Sequence, residues 1–208
     1  MEPAKRFDEK ARAWDANPLR IEISQAFTTC IVRSVPLPAD MTVLDFGCGT
    51  GLVGMQFQPI AKSVIMVDNS QGMLDVLRGK IERHGATNME VLLGDIHELD
   101  LAGREIDLAC AMMVLHHVPD VERLLRRFHQ ILKPGGCLCV GDLEPEDGSF
   151  HEDGVKVHHG FDAINLKRIA EESDFEVTVM RRMHVLKKPD RRGLIREYPL
   201  FLMVAVNQ

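Results

Sequence analysis

The stretch VLDFGCGTGLVG, residues 43–54, holds four glycines in twelve positions directly after an apolar run. Backbone N–H groups at a helix N-terminus attract anions and polar groups, and glycines allow a ligand to approach the backbone closely. The stretch therefore predicts a tight turn around a bound ligand, with the carboxylate of Asp45 beside it.

Two ligand chemistries fit this turn. Gly49, Gly51 and Gly54 spell GxGxxG, the dinucleotide fingerprint, and Asp68 follows about 20 residues later, where an acid would bind a ribose. Read from Asp45, the same letters spell DxGxGxG. The two patterns differ in where the preceding strand ends.

Burial favours the second pattern. A strand that ran on to Gly49 would enclose Asp45, where an unpaired carboxylate is costly, and would place Gly47 inside the strand, which weakens it. A strand that ends at Phe46 puts Asp45 at the carboxyl edge, where ligands bind in open α/β sheets. There the carboxylate suits an amino-acid ammonium group and would repel a pyrophosphate.

The elements around the turn alternate between strand and helix patterns. Short apolar runs predict strands at 42–46, 63–67, 90–93, 106–112 and 136–143. Helical patterns lie before and between them, at 6–14, 19–35, 52–58, 71–84 and 121–132. Runs such as LACAMMVL are apolar at nearly every position, which is typical of parallel strands buried on both faces.

After residue 143 the pattern changes. A helix is predicted at 162–173, and two strand-like runs follow at 175–186 and 197–206, too close together for a crossover helix. We therefore expect one doubly wound α/β domain. Its mostly parallel, seven-stranded, Rossmann-like sheet carries helices on both faces and an antiparallel C-terminal strand.

Composition limits the partners and the compartment. Thirty-one acidic and 25 basic residues give a net charge of -6, which argues against nucleic-acid binding. The N-terminal stretch is charged throughout, unlike a signal peptide, and the apolar runs are shorter than the roughly 20 residues of a membrane span. Five cysteines without a CxxC pair fit a reducing cytoplasm.

From Met41 to Leu143 the sequence resembles the class I S-adenosylmethionine-dependent methyltransferases. Five motifs in order carry the resemblance: VLDFGCGTG, VDNS, GDIHEL, IDLACAMMVLHHVPD and LLRRFHQILKPGGCLCVGDL. The resemblance implies S-adenosylmethionine as the cofactor and methyl transfer by in-line displacement. It also implies one chain-long domain, 1–208, divided into an N-terminal helical lid (1–40), a cofactor-binding core (41–143) and a substrate-side segment (144–208).

The resemblance also implies cofactor contacts. The methionine end would lie against Asp45, Gly47, Cys48 and Gly49. The ribose would lie against Asp68 and Asn69, with Ser70 left to cap the next helix. The adenine would lie against Met73, Asp95 and Ile96, although Met73 is equally explained as a core residue. The methyl group would lie at the end of the fourth strand, beside Ala111 and Met112.

Methyl transfer needs a base only if the acceptor carries a proton, as hydroxyls and amines do. His116 and His117 follow the fourth strand and are the candidate catalytic residues, with a structural hydrogen bond as the alternative for His117. His158 and His159 follow the fifth strand and are expected in the substrate pocket. Trp14, within FDEKARAWD, is expected either in a lid over the substrate or in the core.

No metal site is expected, because His151, Glu152, Asp153 and His158 follow no known ligand spacing. The (D/N)PP(Y/F) motif does not follow the fourth strand, which weakens nucleobase and glutamine acceptors. The basic stretch at 181–193 is interpreted as a solvated hairpin connection. A small, partly apolar acceptor is therefore favoured. A nicotinamide-dependent oxidoreductase and a non-catalytic, cofactor-binding regulator remain as alternatives.

Overall fold

The computed structural model describes residues 3–151, 154–190 and 193–208. The helices are α1 (Pro3–Lys10), α2 (Pro18–Ser34), α3 (Gly54–Phe57), α4 (Gln71–His84), α5 (Val121–Ile131) and α6 (Ala163–Glu171), with 3₁₀ helices at Ala11–Ala16 and Leu115–His117. The strands are β1 (Thr42–Phe46), β2 (Ser63–Asp68), β3 (Met89–Leu93), β4 (Ile106–Met112), β5 (Leu132–Leu143), β6 (Phe175–Pro189) and β7 (Ile195–Asn207).

All seven strands form one sheet in the order β3-β2-β1-β4-β5-β7-β6. The pairs among β1 to β5 are parallel, and β7 runs antiparallel to both of its neighbours. The predicted fold class is confirmed, including the antiparallel pair at the C-terminus. β1 and β4 are parallel neighbours, so the segments that follow them leave the sheet at the same edge, at the point where the strand order reverses.

The core lies on both faces of the sheet. Val43 and Leu44 are adjacent in β1, yet they pack into different core clusters, because successive side chains point to opposite faces. Both are fully buried. This two-sided burial explains why the central strands are apolar at nearly every position.

Three element boundaries differ from those expected. β5 begins at Leu132 because this residue already pairs with Ile106. α3 is a single turn, because the glycine turn is still closing at Gly51, whose φ is +86°. The first predicted helix divides into α1 and a 3₁₀ helix at Ala11, the buried residue of that 3₁₀ segment.

Gly141 allows α2 and β4 to lie close to β5. A Cβ atom at this position would be 2.6 Å from Met112 Sδ and 2.7 Å from the ring of Phe27. We expect Gly141→Ala to lower the free energy of unfolding by about 1–3 kcal/mol, the usual cost of overpacking. Urea denaturation measures this change.

Gly79→Ala in α4 is the matched control. A Cβ atom there would meet Arg83 Nη1 at 3.5 Å, an ordinary contact, so the change should raise stability by roughly 0.5–1 kcal/mol. Equal effects of the two substitutions would show that the close approach at Gly141 is unimportant.

Candidate cofactor and acceptor site

The glycine turn after β1 depends on left-handed backbone. Gly47, Gly49 and Gly51 have φ angles of +65°, +53° and +86°, which side chains rarely allow. The N–H groups of Gly47 and Cys48 donate to the carbonyl oxygen of Val67 at 2.8 and 3.1 Å. The turn is thereby held against the end of β2.

Asp45 lies one residue before the end of β1 and is only 2% exposed. Its Oδ2 accepts the N–H of Gly54 at 2.8 Å, which joins the strand to the start of α3. Burial raises the pKa of Asp45 to about 7, aided by repulsion from Asp68 and opposed by the Gly54 hydrogen bond. The side chain therefore organises the turn from within.

Asp68 ends β2 and holds the same turn from the other side. Its Oδ2 accepts the Gly49 N–H at 2.7 Å, and its Oδ1 accepts the Ser70 N–H at 2.8 Å. Burial raises its pKa. A carboxylate has about four acceptor positions, so Asp68 retains capacity for ligand hydroxyls. Asn69 beside it is exposed.

Helix α1 connects two parts of this edge. Asp8 Oδ1 accepts the Ser70 hydroxyl at 2.6 Å and the Gly72 N–H at 2.8 Å, at the N-terminus of α4. These bonds lower the pKa of Asp8. The preceding residue, Phe7, places its ring edge-on against His117, with 5.3 Å between centroids.

The 3₁₀ helix after α1 contacts the glycine turn directly. Asp15 Oδ1 accepts the hydroxyl of Thr50 at 2.6 Å, and Asp15 also forms an ion pair with Lys80. The guanidinium carbon of Arg20 lies over the ring of Trp14, 3.5 Å from the centroid of that ring. Trp14 also packs edge-on against Phe7, and its place in a lid stays a prediction.

His116 is buried at the end of β4 and is oriented by a carboxylate. Its Nδ1–H donates to Asp142 Oδ1 at 2.6 Å, and its backbone N–H donates to Asp142 Oδ2 at 3.2 Å. Both side chains are at most 1% exposed. Sequence reasoning missed Asp142, although a single carboxylate inside the apolar run CLCVGDL is a signal of a buried partner.

Three histidines converge at this edge. The ring centroids of His116, His117 and His151 lie 4.2, 4.9 and 5.2 Å apart. Burial lowers the pKa of both His117 and His151 to about 3, aided by repulsion from neighbouring histidines and from Arg6. These two imidazoles are therefore neutral at pH 7. The sequence analysis considered His151 together with Glu152, Asp153 and His158 as a metal site and did not expect one. Glu152 and Asp153 lie outside the described residues.

Other predicted cofactor residues lie around the turn. Met73 is buried, and its sulfur would be 3.9 Å from a Cβ atom on Gly49. Asp95 is exposed, and its Oδ1 accepts the His97 N–H at 2.9 Å. Ile96 is 1% exposed and packs in the larger core cluster. Of these, Met73 lies beside the glycine turn.

The remaining predicted residues follow β4 and β5. Ala111 is fully buried, and Met112 is partly buried after it. His158 Nε2–H donates to the carbonyl oxygen of Val118 at 2.9 Å, and His159 is exposed. Neither His158 nor His159 belongs to the convergent group of histidines.

The edge offers what a cationic, hydroxyl-bearing ligand requires. Asp8, Asp45 and Asp68 lie close enough for their charges to repel. Asp8 raises the pKa of Asp68, and Asp68 raises the pKa of Asp45. Among the described residues, a Cβ atom on Gly49 would meet Met73 alone within 4 Å, so this backbone has an open face. The buried thiol of Cys48 has a raised pKa and stays protonated. An adenosyl sulfonium with an ammonium group fits these residues.

Comparison with known proteins places this arrangement in a family. Residues 43–136 match the family described as "Methyltransferase domain". An uncharacterized methyltransferase from Schizosaccharomyces pombe is 31% identical over 156 residues, which are 66% of this chain and 55% of the relative. A malonyl-[acyl-carrier protein] O-methyltransferase from Yersinia pestis is 31% identical over 112 residues, 54% of this chain and 39% of the relative.

A solved structure, a SAM-dependent methyltransferase from Aquifex aeolicus, has the same fold. It matches with a TM-score of 0.73 at 19% identity, covering 97% of this chain and 98% of that one. Residues 43–136 therefore belong to a methyltransferase-domain family, and S-adenosylmethionine is the cofactor that this family and this fold imply. The predicted family, cofactor and class of enzyme are confirmed at that level. The chain spans about half or less of the length of the two curated relatives.

The buried carboxyl of Asp45 predicts a pH-dependent stability. Its folded pKa of about 7 exceeds an unfolded value of about 3.9, so its stabilising proton is fully held at low pH and is lost as the pH rises through 7. Asp45→Asn keeps an acceptor for Gly54. We expect its free energy of unfolding, relative to that of wild type, to be about 2–3 kcal/mol higher at about pH 8 than at about pH 5.

Urea unfolding of both proteins at the two pH values, without cofactor, measures this difference. The comparison cancels the other titrating groups, which the two proteins share. A difference in stability that is independent of pH would mean that Asp45 titrates normally.

Proposed function

We propose that this chain transfers a methyl group from S-adenosylmethionine to a small-molecule acceptor by in-line displacement. The observation that carries the proposal is the lid. Its consecutive residues Phe7 and Asp8 contact His117 after β4 and the N-terminus of α4, respectively. Asp15 of the same segment bonds to the glycine turn. A site covered in this way suits a small acceptor better than a macromolecular surface.

The cofactor supplies a methyl group that its sulfonium has already activated, so much of the catalysis can come from alignment. We assign the ribose hydroxyls to Asp68 and Asn69, and the methionine end to the turn that Asp45 organises. Met73, Asp95 and Ile96 are the proposed adenine side, and Ala111 and Met112 the proposed side of the methyl group.

The acceptor would lie between the lid and the segment after β5. Phe150 packs edge-on against His151 and Tyr198, with centroids 5.0 and 5.1 Å apart, and forms an aromatic wall. His117, with a pKa of about 3, is a poor proton acceptor near neutral pH. We therefore assign His117 to holding the acceptor. The low pKa argues against the base role that the sequence suggested for it.

This function keeps the division expected from the sequence: lid (1–40), cofactor core (41–143) and substrate-side segment (144–208). A cytoplasmic location is part of the proposal, supported by five cysteines that are all free. Within the described residues, no helix is both long and apolar enough to cross a membrane.

Cofactor binding provides the first test. S-adenosylmethionine and its demethylated product should raise the melting temperature, whereas NAD should not, since only a ligand of the native state stabilises it. Asp68→Asn should weaken S-adenosylmethionine binding by about 1.5–3 kcal/mol, the range for a lost charged hydrogen bond.

Titration calorimetry measures the affinity, and circular dichroism checks the fold. Asp75→Asn is the control, because this carboxylate is exposed on α4 and pairs with Arg78. Stabilisation by NAD alone, or equal affinities for both variants, would contradict the assignment of the site.

Acceptor size provides the second test. The protein is incubated with methyl-labelled cofactor and a cell extract divided by ultrafiltration into low-mass and macromolecular fractions. We expect label in the low-mass fraction, and much less with Asp68→Asn. Label confined to macromolecules would refute a small-molecule acceptor, and no transfer to either fraction would favour a cofactor-binding regulator.

A further inference from the structure

We propose that His116, His117 and His151 form a binding site for one divalent transition-metal ion, such as Zn²⁺. One imidazole nitrogen of each residue lies within 4.8 Å of those of the other two. Three histidines are a complete protein ligand set for a catalytic zinc ion, which keeps a fourth position open. The sequence predicted no metal site from the spacing of His151, Glu152, Asp153 and His158, and of these four residues only His151 belongs to the group.

The distances require little rearrangement. Zn–N bonds of about 2.0–2.1 Å place the nitrogens of a tetrahedral site about 3.4 Å apart, so the imidazoles need to close by roughly 1.4 Å at most. His116 is buried and fixed, whereas His117 and His151 are partly exposed. Modest side-chain rotations of these two residues would complete the coordination.

Asp142 prepares His116 as a ligand. Because Nδ1–H donates to Asp142 Oδ1, Nε2 is the nitrogen of His116 that is left to bind a metal ion. Asp142 is itself held by the backbone N–H groups of His116 and Leu143. A carboxylate behind a histidine is the usual arrangement at metal centres, since it fixes the tautomer and raises the basicity of the ligand.

The three rings bring one nitrogen each to within 4.8 Å of the other two. Imidazole nitrogens in such an arrangement suit an ion that prefers imidazole ligands.

The surrounding charges identify the fourth ligand. Lys188 Nζ lies 4.0 Å from the centroid of Phe150, whose ring packs on His151, and both Lys188 and Arg6 repel a proton on His151. These cations weaken the binding of a bare metal ion and favour an anion in its open position. We infer an anionic oxygen or sulfur donor of the acceptor there. This last step rests on the proposed methyl transfer, whereas metal binding does not.

Metal titration of the full chain tests the site. The protein is prepared without a polyhistidine tag, stripped with a chelator, and titrated with Zn²⁺ by calorimetry and with Co²⁺ by visible absorbance. We expect one ion per chain. His117→Ala and His151→Ala should each lower the affinity at least tenfold, and Asp142→Asn by about 10–100-fold, as for other residues that orient a ligand.

His159→Ala is the matched control, because this exposed histidine lies in the same segment but outside the group. Its metal affinity should equal that of wild type. Circular dichroism and melting curves without metal separate loss of a ligand from loss of folding. If Asp142→Asn unfolds, His117→Ala and His151→Ala keep the test valid, because these two residues are partly exposed.

The absence of stoichiometric binding to wild type would overturn the proposal. It would also be overturned if the affinities of His117→Ala and His151→Ala matched that of His159→Ala. The titrations contain neither cofactor nor acceptor. A chain that binds Zn²⁺ but transfers no methyl group would therefore refute the proposed function alone, and methyl transfer by a metal-free chain that binds no ion would refute the metal site alone.

Discussion

The close approach of Gly47 to Val114 is the constraint on which the rest of this edge depends. A Cβ atom on Gly47 would lie 2.4 Å from Val114 Cγ2, and the φ of +65° already disfavours a side chain. Because β1 and β4 are neighbours in the sheet, the segments after them leave at the same edge. The missing side chain lets the glycine turn pack against the segment that carries His116 and His117.

The N-terminal segment that we propose as a lid contacts both of these segments. Its bonds reach the N-terminus of α4 through Asp8 and the turn through Asp15, so the lid is held by polar contacts at both ends. Polar contacts of this kind are individually modest in water. Phe7 adds an aromatic contact on the acceptor side.

Charge is divided across the edge. The carboxylates Asp8, Asp45 and Asp68 lie on the cofactor side, and their mutual repulsion is relieved by a cationic ligand. Arg6 and Lys188 lie on the histidine side. The edge therefore has a negative half beside the glycine turn and a positive half beside the histidines.

The sequence by itself determined the elements and the course of the glycine turn. β1, β4 and α4 follow from apolar runs, helical periodicity and the Ser70 cap, and Asp68 follows from its place after a buried strand. These signals are local, because periodicity and capping act within a few residues. The end of β1 was also predictable, since an unpaired carboxylate such as Asp45 is too costly inside a strand.

Only the tertiary structure decided the acceptor side. His151 meets His116 and His117 because the sheet brings the segments after β4 and β5 together, and Asp142 reaches His116 across neighbouring strands. Met113 adopts a φ of +52° there and donates its N–H to the Gly141 carbonyl at 2.8 Å. No local pattern encodes these contacts, because each one joins residues that only the pairing of β4 with β5 makes neighbours.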